Sequence, residues 1–474
     1  MKRAIFYLGA LIGLFLMGCN KESDGLKSEL TVHERINKFI VEVVHTYYLW
    51  ENKTDWKQYE NRKAYQAYTN HYELFEELLH EDDYWSTLTD DIAGMESQFS
   101  GVSTTFGYTL SFWKISENAD DVVAVVLFTT SDSPAAKAGL KRGDVIIEMN
   151  GNKITADNYR NLYYAPSLVL RCGALESKTK PITFVPLSET ISLNAIEMYE
   201  NPVNFSRVIE RSGKKIGYLS YTGYQMESEV ELIKLFTQFK SDGVQDVVLD
   251  LRYNPGGYSR TSLILSSILA PESVVKNKRT YLIHHYNTML STYYRENNYA
   301  TSEKFLDTVS VNMDLSRLYV LTSGRTASAS EATMVGLDAY LDVIQIGEAT
   351  SGKYCGGILL SPEDQYGEKN RNVYESFSNW GMYIMIYRFA NINGISSFTG
   401  GLEPDIQAEE DDFDLKPFGD ETDPLLGRAL AHIMGEPYIE QRAAKMALPF
   451  IPMPALKKPV DGLMIAPTSL KISN

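Results

Sequence analysis

The sequence predicts an α/β protein in which a main α/β unit follows a β domain and an N-terminal helical domain. Three patterns predict it. From Ile216 onward, short β-prone runs alternate with helical runs, as in parallel strands covered by helices. From about Gly101 the chain reads instead as strands and hairpins. Between Val32 and Trp50, apolar residues recur at helical spacing. A chain of 474 residues is too long for one ordinary hydrophobic core, so several domains are expected.

The first residues read as a targeting segment. Lys2 and Arg3 precede an apolar run, Ile5 to Met17, that is too short to span a bilayer. It ends in Leu16-Met17-Gly18-Cys19, which resembles a bacterial lipobox. Residues 1–18 are then a lipoprotein signal peptide, with Cys19 the lipidated residue. Residues 19–30 are a polar tether. Asn20 rather than Asp after the cysteine favours the outer membrane, so the expected location is extracytoplasmic and lipid-anchored.

Residues 31–100 form the helical domain. Ile36, Phe39, Ile40, Val43, Val44, Tyr47 and Tyr48 make one apolar stripe, and Tyr72, Phe75, Leu78 and Leu79 make a second. Asp82-Asp83-Tyr84-Trp85 follows. Residues 101–200 form the β domain. The strand-like run Val122 to Phe128 leads to Ser133-Pro134, a helix start, and Asn150-Gly151 marks a hairpin turn. This succession resembles a PDZ domain. Phe106, Gly107 and Tyr108 then fit the loop that holds a peptide C-terminus, with the next strand as an open edge for the peptide.

Residues 201–436 form the main unit. Strands are expected at Ile216 to Tyr221, Asp246 to Leu251, Leu318 to Leu321 and Val343 to Ile346. Helices are expected at Glu229 to Phe239, with Val230, Ile233, Leu235 and Phe236 apolar, across Leu263 to Leu269, and at Glu331 to Leu341. Residues 437–474 carry five prolines, Pro449, Pro452, Pro454, Pro459 and Pro467, beyond Pro437, which suits a strapped or mobile extension.

Composition narrows the function. A net charge of −16 argues against nucleic acid, which needs clustered Lys and Arg. Seven scattered histidines give no metal site, and His284 and His285, being adjacent, would face opposite ways on a strand. Cys172 and Cys355 make no disulfide framework. No cofactor is implied.

Three segments of the main unit carry chemistry. Thr326-Ala327-Ser328-Ala329-Ser330-Glu331 puts a serine near a helix N-terminus, where free N–H groups favour negative charge. Gly347-Glu348-Ala349-Thr350-Ser351-Gly352-Lys353 brings a lysine after a strand. Asp250-Leu251-Arg252-Tyr253-Asn254-Pro255-Gly256-Gly257 runs a strand into a Gly-Gly turn, whose backbone can aim an amide N–H into a cleft.

Together and in this order, with Gly401-Leu402-Glu403-Pro404-Asp405-Ile406 beyond, these segments resemble the C-terminal processing, or tail-specific, serine peptidases. The resemblance covers roughly residues 101–410. It implies a crotonase-like α/β core with a PDZ domain and protein or peptide substrates. It also implies Ser328 as nucleophile, Lys353 as general base, and an oxyanion hole from Ala329 with Gly256 or Gly257. Such a base must be uncharged, so Lys353 is expected to be desolvated, within hydrogen-bond reach of Ser328 and free of a close carboxylate.

One position departs from the family. Many bacterial members carry Gln or Glu four residues after the lysine, where this chain has Gly357. The departure leaves a second reading, a non-catalytic ligand- or peptide-binding lipoprotein on the same fold. Cys355 as nucleophile lacks a nearby histidine. Ser330 reads as an N-cap type of residue, Glu331 as a complement to the helix N-terminus, and Ser351 as a turn serine.

Overall fold

A computed structural model describes residues 30–116, 120–177, 182–438, 450–456 and 458–466. The signal segment, Cys19 and most of the tether lie outside the described residues. The main unit is built on two sheets. In the first, Lys214–Tyr221, Asp246–Asp250, Arg317–Thr322 and Asp342–Gly347 run parallel. Ile406–Gln407 extends one edge in parallel, and Val203–Arg211 pairs antiparallel at the other. Central strands such as Asp246–Asp250 are buried along their whole length, as expected where helices cover both faces.

The second sheet is mixed rather than parallel. Its order is Gly257–Tyr258, Met464–Ile465, Cys355–Leu360, Gly381–Ala390, Thr280–Tyr286, Ser302–Lys304, and Thr87–Thr89 also pairs with Gly381–Ala390. His284 is buried on it and His285 exposed, as strand alternation requires. Two helices, Ser259–Leu269 and Ala329–Asp338, are buried nearly all round and share one core with residues of both sheets. Ser262 Oγ of the first helix lies 2.9 Å from Thr333 Oγ1 of the second and 2.7 Å from Tyr281 Oη of strand Thr280–Tyr286. The far face of the first sheet is covered by helix Pro424–Met434, through Leu425, Leu426, Ala429, Leu430 and Ile433.

The helix Val32–Tyr47 forms where its stripe predicts, capped by Thr31, whose hydroxyl accepts from Glu34 N–H. The segment up to residue 100 has no core of its own. Phe39, Ile40, Val43, Val44, Phe75 and Leu78 are buried in the same cluster as strands of both sheets. The expected Tyr72 is 41% exposed, because helix His71–Leu78 turns Leu74, Phe75 and Leu78 inward. Likewise, helix Glu229–Ser241 buries Leu232, Phe236 and Phe239 at i, i+4, i+7 spacing, which leaves Val230 78% exposed.

The β domain does have a separate core, around Phe112, Val122, Ala124, Val126, Ile146 and Leu170. The strand Asp121–Thr129, the short helix Pro134–Lys137 capped by Ser133, and the hairpin turning at Asn150-Gly151 all form. The edge strand Tyr108–Lys114 is not open. Ile451–Pro452, from the proline-rich extension, pairs with it antiparallel. Of the two alternatives for that extension, strapping is what its described residues do. No described helix is long and apolar enough to cross a membrane.

Because Phe39 sits in the shared core, Phe39→Ala should destabilise the main unit by about 3–5 kcal/mol. Urea unfolding followed by both near- and far-ultraviolet circular dichroism should keep a single main-unit transition, and an early, separate loss of the N-terminal helices would contradict the shared core.

Candidate active site

After strand Arg317–Thr322 the chain turns tightly and enters helix Ala329–Asp338 through Ser328. That residue is held at φ +65°, ψ −112°, a region costing a non-glycine residue about 1–3 kcal/mol. Its surroundings hold it there. Ser328 N–H donates to Glu331 Oε2 at 2.6 Å, and Ser328 O accepts from Ala332 N–H at 2.8 Å. Ser328 is fully buried, and its hydroxyl has no hydrogen-bond partner among the described residues. A buried, unbonded hydroxyl costs stability, so a serine kept here is a sign of use rather than of packing.

The Asp250–Gly257 segment packs directly on this turn. Gly256 has φ +112°, and a Cβ there would stand 2.7 Å from Ser328 Cβ and 3.1 Å from Ala329 N. No larger residue fits. Arg252, 1% exposed, fixes the start of the turn. It donates to Asp250 at 2.6 Å, to Glu410 at 2.6 Å and to Asp423 at 2.9 Å. Arg142 of the β domain joins the same Glu410 and donates to Tyr253 Oη at 2.8 Å. The two guanidinium groups thus face the buried carboxylates of Asp250 and Asp423 and the half-buried one of Glu410 at the border of the β domain and the main unit.

The amides predicted for an oxyanion hole differ in what they bond. Gly256 N–H donates to Asn254 Oδ1 at 3.0 Å, an internal bond of the turn, so this amide is not available to a substrate. Gly257 N–H donates to Leu463 O of the C-terminal extension at 3.0 Å. Ala329 N lies beside Gly256 at the helix start.

Lys353 is fully buried and takes part in no ion pair among the described residues. Burial pushes its pKa down from 10.5 to about 7, with Cys355, Asp83 and Glu331 pulling weakly the other way. Among the described residues its Nζ makes one hydrogen bond, to Tyr383 Oη at 3.4 Å, and it lies 5.6 Å from the Trp85 ring centroid. Lys353 is therefore desolvated and free of a paired carboxylate, as expected, but it is not hydrogen-bonded to Ser328. Its amine is turned to the Tyr383 phenol instead. Tyr383 also fills the space left by Gly357: a Cβ at 357 would stand 2.6 Å from Tyr383 Cζ and 2.9 Å from its Oη.

Glu331 is the residue that joins the serine and lysine segments. Its Oε2 accepts from both Ser328 N–H, at 2.6 Å, and Lys353 N–H, at 3.0 Å. Its Oε1 accepts from Gly352 N–H at 2.7 Å and from Thr350 Oγ1 at 2.6 Å. Burial raises its pKa to about 7, while those four donors favour the charged form. The sequence reading of Glu331 as a helix complement missed this bridging. Ser330 is not the N-cap; it lies inside the helix and donates to Asn254 O at 3.1 Å. Ser351 is an exposed turn residue. Burial raises the Cys355 thiol far above its usual range, so it supplies no thiolate.

Sequence reasoning also missed Tyr383, Asp83 and Trp85, which arrive from distant strands and from the N-terminal segment. Asp83 Oδ1 accepts from Trp85 and Ser86 N–H groups at 3.0 and 2.9 Å, and its Oδ2 is buried without a partner among the described residues. The one sequence signal was Gly357 itself, which left open whether some other group orients the lysine.

In the β domain, Gly107 N–H donates to Thr105 Oγ1 at 2.9 Å, and Gly107 O accepts from Thr130 N–H at 2.8 Å. That amide is committed within its own loop and does not await a carboxylate. Phe106 and Tyr108 are buried, with their rings stacked at 5.4 Å.

Residues 215–408 match the model of peptidase family S41. The chain is 24% identical over 316 residues to a carboxyl-terminal-processing protease of Picosynechococcus, covering 65% of this chain and 66% of that protein. It is 22% identical over 403 residues to the chloroplastic carboxyl-terminal-processing peptidase 1 of Arabidopsis thaliana, covering 81% of this chain and 74% of that protein. Its fold is similar to a solved S41 protease structure from Bacteroides fragilis NCTC 9343, with a TM-score of 0.67 at 22% identity, covering 87% of this chain and 99% of that one. The segment that holds Ser328, Lys353 and the Gly-Gly turn thus lies within the stretch that matches peptidase family S41, and both of these relatives are carboxyl-terminal-processing enzymes.

Glu331→Gln tests the bridge. The new amide NH₂ would face N–H donors in place of an acceptor, leaving two buried donors unmatched at a cost of about 2–5 kcal/mol. Chemical denaturation should register that loss; a change within about 0.5 kcal/mol, the range of ordinary surface substitutions, would exclude the bridging role.

Proposed function

We propose that this chain is a serine endopeptidase of the C-terminal processing type, with Ser328 as nucleophile and Lys353 as general base. The observation that carries the reading is a fully buried lysine amine without an ion pair, its pKa lowered to about 7, on a turn whose backbone Glu331 ties to the backbone of the turn holding a buried serine hydroxyl without a partner among the described residues. In the proposed reaction the Lys353 amine turns from Tyr383 to Ser328 and takes the hydroxyl proton. Ser328 Oγ attacks the substrate carbonyl, and the N–H groups of Ala329 and Gly257 receive the oxyanion. Collapse passes the proton from Lys353 to the leaving amine, and water then releases the acyl group by the same route in reverse. Losing one oxyanion donor costs about 10²- to 10³-fold in rate. Tyr383 is the positioning residue for Lys353 in place of the side chain that Gly357 lacks.

In this reading the β domain is PDZ-like and the core crotonase-like, and the β domain presents substrate chains along the Tyr108–Lys114 edge. Lipidation at Cys19 would hold the enzyme at the outer membrane, a proposal supported by the Leu16-Met17-Gly18-Cys19 sequence. The alternative, a binding protein without hydrolysis, is favoured by one observation, the absence of a Ser328–Lys353 hydrogen bond. Against it stands energy: a strained serine and a buried unpaired amine both cost stability, and ligand binding alone needs neither.

Ser328→Ala and Lys353→Ala should each lower kcat/KM on an unstructured protein substrate by about 10⁴-fold or more. The active base is the uncharged amine, so wild-type kcat/KM should rise with pH through a limb near the lysine value of about 7. Full turnover by either variant, or a limb near the ordinary lysine value of 10.5, would rule the dyad out.

A further inference from the structure

The proline-rich extension meets the rest of the chain at two places, and both are where a substrate would lie. At the first, Ile451 pairs with Lys114 and Pro452 with Trp113, and Met453 N–H donates to Phe112 O at 2.8 Å. Met453 and Leu456 pack on the β-domain core, and Tyr159 Oη, from helix Tyr159–Tyr163, donates to Pro454 O at 3.4 Å. The extension therefore runs as an added strand on the edge Tyr108–Lys114, beside a helix, in the manner of a bound peptide.

A turn at Lys458–Asp461 then carries the chain to the second place. There Met464–Ile465 lies between Gly257–Tyr258 and Cys355–Leu360. Leu463 O accepts from Gly257 N–H at 3.0 Å, and Ala466 N–H donates to Gly357 O at 2.8 Å. Tyr383 Oη donates to Met464 O at 2.6 Å and accepts from Met464 N–H at 3.0 Å. Residues 463–466 are all buried, Met464 completely. The same phenol holds the Lys353 amine. The extension thus occupies the Gly257 amide and bonds the phenol to which the Lys353 amine donates.

We propose that residues 450–456 and 458–466 act as a tethered peptide ligand, the first stretch filling the β-domain edge and the second the cleft beside Ser328, closing the enzyme at rest. The occupant that displaces them is a chain offering an extended, apolar segment able to add a strand at both places. The proposal, which rests on the peptidase reading above, follows from strand pairing and occupied donors. A tether also raises the local ligand concentration to about the millimolar range, so a weak peptide suffices to close the site.

The test compares the full chain with one ending at Tyr438, a residue that packs on Arg428 and so keeps the last helix supported. The truncated chain should hydrolyse unstructured casein about 10-fold or more faster than the full chain, and added synthetic peptide of residues 450–466 should slow it again. In a Ser328→Ala background, the fluorescein-labelled peptide should bind the truncated chain and not the full one by anisotropy. A folded truncated chain with unchanged turnover, or one that does not bind the peptide, overturns the proposal. If truncation prevents folding, Met464→Pro with Ala466→Pro in the full chain removes the N–H groups of the tail strand alone and must give the same activation; unchanged turnover overturns the proposal. If no form hydrolyses casein while the peptide still binds only the truncated Ser328→Ala chain, the tail's docking stands and the peptidase reading falls.

Discussion

A single buried carboxylate, that of Glu331, takes hydrogen bonds from the backbone of both the serine turn and the lysine turn, and the rest of the site is arranged around that junction. One oxygen accepts from Ser328 and Lys353 together; the other accepts from Thr350 and Gly352. These bonds fix two loops that follow different parallel strands, and they hold Ser328 in a conformation that a serine would not otherwise adopt. Placing both turns at the same end of a parallel sheet is what the topology provides: Arg317–Thr322 and Asp342–Gly347 are neighbours in register, and each ends beside the other.

Burial then does the chemistry that the carboxylate alone could not. An amine near Glu331 and Asp83 would ordinarily keep its proton, yet desolvation outweighs both and brings Lys353 to about 7. The apolar cover comes from a distance: Trp85 from the N-terminal segment and Tyr383 from the second sheet. Trp85 comes from the connection between helix His71–Leu78 and strand Thr87–Thr89, so the N-terminal segment contributes to the wall around the amine. The Arg142–Glu410–Arg252 cluster does similar work on the other side, joining the β domain to the turn that carries Gly256 and Gly257.

Much of this was legible in the sequence, for identifiable reasons. The parallel strands and their helices declare themselves by alternation, and Ser328, Lys353 and the Gly-Gly turn lie in compact segments whose spacing is local. The β-domain strand, helix and hairpin were legible for the same reason. What was not legible depends on long-range pairing. Tyr383 reaches Lys353 only because Gly381–Ala390 pairs with Cys355–Leu360 in one register, and Gly357 leaves room for its ring. The two short strands of the extension, each two residues long, carry no periodicity and sit among prolines. Val230 lies on the solvent face because an apolar residue in a helix says little about which face it occupies until the partners are known.

The central claim is that burial lets the Lys353 amine lose its proton close to neutral pH within the folded protein. Heteronuclear NMR of the chain labelled with ¹³C and ¹⁵N at lysine, with Lys353→Arg used to assign the signal, measures this directly. The account predicts a side-chain titration midpoint close to 7, well separated from the other lysines. A midpoint at the ordinary 10.5 would contradict it.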